Sequence, residues 1–360
     1  MCLQNELARA EATLICNTDN QYIVPTSGNP LRGLIQDHVA SGVKLTCRNI
    51  FLNQSDFMQL LYVALTGLAG AEVVDHQERI VLPAPAVLKP ERRWTGKQVI
   101  SALMRHLCRP PLPAMHLDGK SRTPPTAFGA DQNEHIVIFR HGELLCGVLD
   151  KAAMGNSALG IVHAVYELYG SDLAGRLLNA FGRLFTFFLQ DAGQSCGIES
   201  LTLNIKADAE RRALLAKVNE NTLKGFAAFV SGGDAMAVYT NSSSIPLPTA
   251  SELLVHEKGL EHMIAKDQKN LKARLDGVMQ SVINKSASDV IKVCLPDGLE
   301  RPFLKNDFSM MVLTGAKGSS VNQSQISCFL GQQALEGHLY YHPYTTVITL
   351  FNDIMSLICR

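Results

Sequence analysis

The chain has 360 residues, 46% of them hydrophobic and 18% charged, which is enough apolar material to bury real cores and excludes wholesale disorder. Lys plus Arg and Asp plus Glu both number 33, so net charge argues neither for nor against a nucleic-acid partner, because local patches can still be basic. A chain of this length is expected to form two domains.

Residues 5–16 read as a short helix that Asn5 can cap, with Leu7, Ala10, Leu14 and Ile15 near one face. Asn5, Glu6, Arg9 and Glu11 also interrupt any apolar leader core, so no signal peptide is expected. Turns follow through Asn17–Asn20 and Pro25–Pro30, with an extended piece at Tyr22–Val24 between them. Val43–Thr46 reads as a strand. Asp56–Leu65 reads as a helix, with Phe57, Leu60, Leu61 and Ala64 on one stripe. Pro83 and Pro85 break the apolar run Ile80–Leu88 into an irregular or edge segment. Thr95 can cap a second helix to Leu107, whose Val99, Ile100, Leu103 and Leu107 recur at helical spacing. Five prolines between Arg109 and Gln132 predict an exposed connection.

The clearest strand signal is a hairpin: Ile136–Phe139 and Leu144–Leu149 flank a turn at His141-Gly142. Helices are predicted over Gly160–Tyr169 and Ser171–Gln190. In the second, Leu173, Leu177, Phe181, Leu184 and Phe188 form a stripe and Gly193 stands where a C-terminal cap would. Ala207–Val230 is helix-forming, Ser231–Thr249 has the composition of a mobile loop, and Leu253–Val293 returns to a helical pattern. There Ile264, Leu271, Leu275, Val278 and Val282 repeat like the seam of an antiparallel helix pair. No uncharged run reaches the length of about 18 apolar residues that a transmembrane helix needs.

Few groups could carry chemistry. The nine cysteines form no C-x-x-C pair, and His256 and His262 fall on different helix faces, so no zinc site is expected. Buried, unpaired thiols in a reducing compartment are the simpler reading. No cluster of converging carboxylates occurs; Asp37 and Asp150 stand alone and read as turn or cap residues. Lys317 lies between Gly315 and Gly318 at the start of a predicted helix. The order G-x-x-x-x-G-K-[ST] is not met, which argues against a nucleotide hydrolase. Glycines still leave backbone N–H groups accessible, a helix N-terminus is electropositive, and lysine adds a full charge. Lys317 is therefore either a phosphate contact or a solvated turn lysine. On the following helix, expected to run on past Gly331, Gln325, Gln332 and Glu336 fall within about 40° of one another. That stripe either faces solvent or lines an aqueous passage.

Several of these segments share their wording with one family. Gln4–Ala12 (QNELARAEA), LRGLIQDHVASGVKLT within Gln21–Thr46, WTGKQV within Leu88–Val99, ELLCGVLDKA at Glu143–Ala152 and GIVHAVYELYG at Gly160–Gly170 resemble the pore region of the largest subunit of DNA-directed RNA polymerase. Pro296–Gly298 and TGAKGSSVNQSQISCFLGQQALEG at Thr314–Gly337 resemble the end of its funnel region, and ELLCGVLDKA with GRLFT at 182–186 is most like RNA polymerase I.

The resemblance implies an α+β fold: a mixed, β-containing pore domain over 1–195, then a helical funnel domain over 200–337. It implies a nucleotidyltransferase of the nucleus and nucleolus that joins ribonucleoside triphosphates (NTPs) on a DNA template, together with other polymerase subunits and RNA, and without a membrane. Lys317 matches a lysine near the incoming triphosphate. Gln332 and Gln333, with Gln325 on the same helix, match the mouth through which nucleotides enter and backtracked RNA leaves. Lys97 and Lys151 match basic positions of the pore. The enzyme's Mg2+ ions are held by an acidic motif that precedes the match to Gln4–Ala12, and the bridge helix and trigger loop follow the funnel. No catalytic or metal-binding residue is therefore expected in this chain, and by itself it is expected to be inactive. After Gly337 the family's basic pair and proline are not found, so 338–360 is expected to be an unrelated, disordered tail of a truncated or mis-spliced gene. The alternatives are an inactive fragment serving only as a subunit-interaction module, and the paralogous subunit of RNA polymerase II or III.

Overall fold

A computed structural model describes residues 2–66, 80–108, 112–232 and 268–331, together with 249, 251–252, 255, 334–335 and 338–339. The chain divides into two compact units, Met1–Ser200 with Arg301–Ser320, and Leu201–Glu300 with Val321–Arg360. Among the described residues, helices are joined by a few short strands that pair antiparallel, a mixed α+β arrangement.

In the first unit, side-chain caps start several of the helices. Asn5 Oδ1 accepts the Ala8 N–H at 2.8 Å and opens α1 (Glu6–Leu14), but that helix buries none of its residues, and Leu7, Leu14 and Ile15 stay exposed. Asn53 likewise opens α3 (Gln54–Leu65), which buries Phe57, Leu60, Leu61, Ala64 and Leu65. Strands β1 (Phe51–Leu52) and β2 (Trp94–Thr95) pair antiparallel and lead into α4 (Gly96–Leu107). A capping box starts that helix: Thr95 Oγ1 accepts the Gln98 N–H at 3.3 Å, and Gln98 Oε1 accepts the Thr95 N–H at 3.0 Å. The irregular segment before it is held by the Trp94 indole, which donates to the Pro83 carbonyl at 2.8 Å.

Two expectations are corrected here. Val43–Thr46 is not a strand but the last turn of α2 (Asp37–Thr46). Its β-branched residues suggest extension, yet Val39, Ala40 and Val43 are buried at helical spacing, and Thr46 Oγ1 bonds back to the Gly42 carbonyl at 2.6 Å. Gly42 is small for a reason: a Cβ there would strike the end of Met154 and lie 3.1 Å from the Leu149 carbonyl oxygen. The proline-rich connection is also more than an exposed loop. It contributes β3 (Leu117–Lys120) and buries Met115, Ser121, Thr123 and Phe128.

Strand β3 is the edge of an antiparallel sheet ordered β3-β4-β5, with β4 at Ile136–Arg140 and β5 at Glu143–Cys146. His141 and Gly142 both adopt positive φ, 51° and 75°, which is the turn that a two-residue hairpin with twisted strands requires. After α5 (Lys151–Met154) and α6 (Ile161–Tyr169) comes α7 (Ser171–Ala192), which buries Leu177, Phe181, Leu184, Phe185 and Phe188 against a core shared with α3 and α4. Full burial of each such side chain contributes about 1.5–3 kcal/mol.

In the second unit, α8 (Ile205–Val230) lies antiparallel to α9 (Gln268–Cys294), because the Asn204 N–H ahead of α8 donates to the Gly298 carbonyl after α9, at 2.9 Å. Met279, Val282, Val290 and Cys294 are buried on α9. Most of the segment expected to be a mobile loop, and the seam residue Ile264, lie outside what is described.

Candidate functional site

The Gly-Lys-Gly turn follows α10 (Asp307–Leu313) in the first unit. It closes that helix: the Gly315 and Lys317 N–H groups donate to the carbonyls of Val312 and Met311 at 3.2 and 3.1 Å. Gly315 and Gly318 sit at φ +79° and +82°, where a side chain would be strained. Ala316 turns inward and is buried with Val39 and Ala40 of α2. The turn is thus pinned from inside, and Lys317 is left exposed on its outer side.

The buried carboxylate of Asp150 organises what surrounds the turn. Its Oδ2 accepts hydrogen bonds from Ser121 Oγ (2.8 Å), the Arg122 N–H (2.6 Å) and the Thr123 N–H (3.1 Å). Its Oδ1 accepts the Ala152 N–H at 2.9 Å and so caps α5, whose first residue is Lys151. Asp150 is thereby the cap residue that its isolation in sequence suggested. The Lys151 N–H in turn reaches the Thr314 carbonyl at 3.4 Å, next to the glycine turn. Arg122 was not singled out from sequence, yet its guanidinium lies over Gly315: a Cβ there would meet Arg122 Nη1 at 3.0 Å. Only the chain's return at residue 315 reveals it. Arg122 and Lys317 are exposed and Lys151 half-buried, and among the described residues none of the three pairs with a carboxylate.

The other sequence-predicted positions are engaged differently. Lys97 opens the first turn of α4 with its ammonium 2.5 Å from the Glu134 carboxylate, and the two side chains are only 12% and 10% exposed. Gln325 is half-buried in α11 (Ser320–Ser327) of the second unit. Gln332, Gln333 and Glu336 lie outside the described residues. The polar helical stripe is corrected: α11 stops at Ser327, where the N–H groups of Cys328 and Phe329 both turn back to the Ser324 carbonyl. Gln323, Ser324 and Ser327 are buried, while Val321 and Ile326 are exposed.

A cavity of about 560 Å³ between α2, α3 and α7, lined by Leu34, His38, Val63, Leu178 and Phe187 among others, includes none of these predicted positions. Burial holds His38 below its ordinary pKa there, and its Nε2 lies 3.1 Å from Thr186 Oγ1. Among the described residues no three His, Cys, Asp or Glu converge as a metal site would require, eight cysteines are free thiols, and no helix is long and apolar enough to cross a membrane.

Comparison with known proteins gives two family matches: RNA polymerase Rpb1, domain 3, over residues 21–201, and RNA polymerase Rpb1, domain 4, over residues 256–354. The second runs past Gly337. The chain is 43% identical over 338 residues to DNA-directed RNA polymerase I subunit rpa1 of Schizosaccharomyces pombe. It is 39% identical over 334 residues to subunit RPA190 of the same enzyme in Saccharomyces cerevisiae, and 39% identical over 341 residues to rpa1 of Dictyostelium discoideum. Each alignment covers 93% of this chain but only 18–19% of the relative, so the chain spans about a fifth of the length of these proteins.

Proposed function

Because the chain belongs to the RNA polymerase Rpb1 family, we propose that it is the pore-and-funnel section of the largest subunit of DNA-directed RNA polymerase I. In this reading residues 1–195 form the pore and 200–337 the funnel. They line the route by which ribonucleoside triphosphates reach the active centre and backtracked RNA leaves it. The partners are the other polymerase subunits, the DNA template and the transcript, in the nucleus and nucleolus. Mg2+ ions serve the chemistry of the complete enzyme. The described residues do not fit a metal, since Asp150 uses both carboxylate oxygens on N–H and O–H donors, and no step through a metal is assigned to this chain.

The observation that carries the reading is Lys317: an exposed ammonium, paired with no carboxylate among the described residues, on a turn fixed from beneath by Ala316. Fixed positive charge beside a wet passage raises the local concentration of a polyanion and orients its phosphates. Lys151 adds to the same field. Lys97 serves the fold instead, because its charge is already matched by Glu134.

The test is Lys317→Ala in the complete polymerase. Loss of one charged hydrogen bond to a phosphate, worth about 1.5–3 kcal/mol, raises KM for NTPs by roughly 10- to 150-fold. A variant with unchanged KM and kcat at limiting NTP refutes the assignment.

A further inference from the structure

We propose that Arg122 is a third phosphate-binding cation of the Gly-Lys-Gly turn, taking the non-bridging oxygens of a nucleoside polyphosphate together with Lys317. The proposal deepens the reading of that turn as a nucleotide-channel site and rests on it.

Three observations lead to Arg122. Its backbone is immobilised. The Asp150 carboxylate binds Ser121, Arg122 and Thr123 together. The same loop is tied to His135, just ahead of β4, by the Ser121 N–H on the His135 carbonyl at 2.8 Å and by His135 Nδ1 against the Thr123 carbonyl at 2.8 Å. Its side chain is placed. The stem and guanidinium lie on Gly315, two residues before Lys317, with Cδ, Cζ and Nη1 all 3.0–3.3 Å from where a Cβ would be. Its charge is not taken up by any carboxylate among the described residues, although its side chain is fixed against the turn.

Arg122 beside Gly315 and Lys317 two residues on put two cationic side chains on one turn, neither in an ion pair among the described residues, and such a surface favours an incoming polyanion. A guanidinium offers a planar fork of donors that matches two phosphate oxygens at once, which an ammonium cannot do. Because the loop is already held, little conformational freedom is lost on binding. The bland alternative is a surface arginine whose stem merely packs on a glycine.

The experiment uses complete polymerase assembled with Arg122→Ala, Arg122→Met, Arg122→Lys or Lys317→Ala in its largest subunit. It reads KM and kcat for NTPs, and inhibition by inorganic tripolyphosphate. We expect Arg122→Ala and Arg122→Met to raise KM about tenfold with kcat within about twofold, as loss of uniform binding does. Tripolyphosphate inhibition should weaken by the same factor, and Arg122→Lys should recover part of the loss. Wild-type behaviour of Arg122→Met overturns the proposal, since methionine keeps the packing and removes only the charge. So does a fall in kcat with KM intact. If Lys317→Ala raises KM and Arg122→Ala does not, only the role of Arg122 is lost; if neither does, the channel reading of the turn falls with it.

Discussion

Replacing Lys97 by Met separates a structural lysine from a channel lysine. The ammonium stands in the first turn of α4, where the helix dipole disfavours positive charge by about 0.3–1 kcal/mol. It is held there by Glu134, 2.5 Å away, with about nine-tenths of both side chains withdrawn from water. Removing one member of such a pair leaves the other desolvated and unmatched, which costs about 3–5 kcal/mol. The residual exposure and the relief of the dipole repulsion bring the expected loss to the lower end, about 3 kcal/mol. Removing both, as Lys97→Met with Glu134→Leu, should restore stability to within about 1 kcal/mol of the parent, because a well-packed apolar pair often replaces a buried ion pair without loss. Urea unfolding of the parent, the two single variants and the double variant gives the coupling energy directly. A Lys97→Met chain that unfolds at the parental urea concentration would show that Glu134 does not hold this lysine. The pore role for Lys97 would then regain its standing, and NTP kinetics of the same variant in the complete enzyme would be the place to look for it.

Thr95→Ala removes the Oγ1 acceptor of the Gln98 N–H and should destabilise the chain by about 1 kcal/mol, read as a lower urea midpoint; an unchanged midpoint contradicts the cap. Gly42→Ala drives a methyl toward Met154 and the Leu149 carbonyl, and a loss of about 1–3 kcal/mol is expected in thermal unfolding. Burial pushes the Cys47 thiol up to about 12 from 9.0, so the folded chain keeps a proton that the unfolded chain has already lost. Stability from this group is whole below about pH 9 and drains away as pH rises toward about 12, by up to about 1.4 kcal/mol per pH unit. Equal urea midpoints at pH 8 and pH 10 would contradict it. The isolated 360-residue chain, supplied with template, Mg2+ and NTPs, should incorporate no nucleotide; incorporation would refute its role as one section of a larger catalyst.

Elements whose signals are local were legible in the sequence. Asn5 and Thr95 mark helix starts because a cap acts over three residues, and His141-Gly142 marks the hairpin because both residues must take positive φ. The long apolar stripe of α7 could hardly be anything but a buried helix. The Gly-Lys-Gly turn was legible for the same reason: its glycines and its charge lie within four residues. What misled was short-range evidence where long-range packing decides. Val43 and Thr46 favour a strand by themselves, but a helix places Val43 in the core and lets the Thr46 hydroxyl take the Leu149 N–H at 2.9 Å. The stripe of Gln325, Gln332 and Glu336 assumed a helix running past Gly331, but the helix ends at Ser327, where the Cys328 and Phe329 N–H groups turn back to the Ser324 carbonyl.

The sequence alone therefore determined the helical and hairpin segments, the family they resemble, and one lysine exposed at a turn. Only the tertiary structure could decide that Asp150 clamps the Ser121–Thr123 loop, that Arg122 comes to rest over Gly315, and that Lys97 is neutralised by Glu134. The physical reason is one of range. Caps and turns are satisfied by neighbours in the chain, whereas a buried charge is satisfied by whatever partner the fold delivers from far along it.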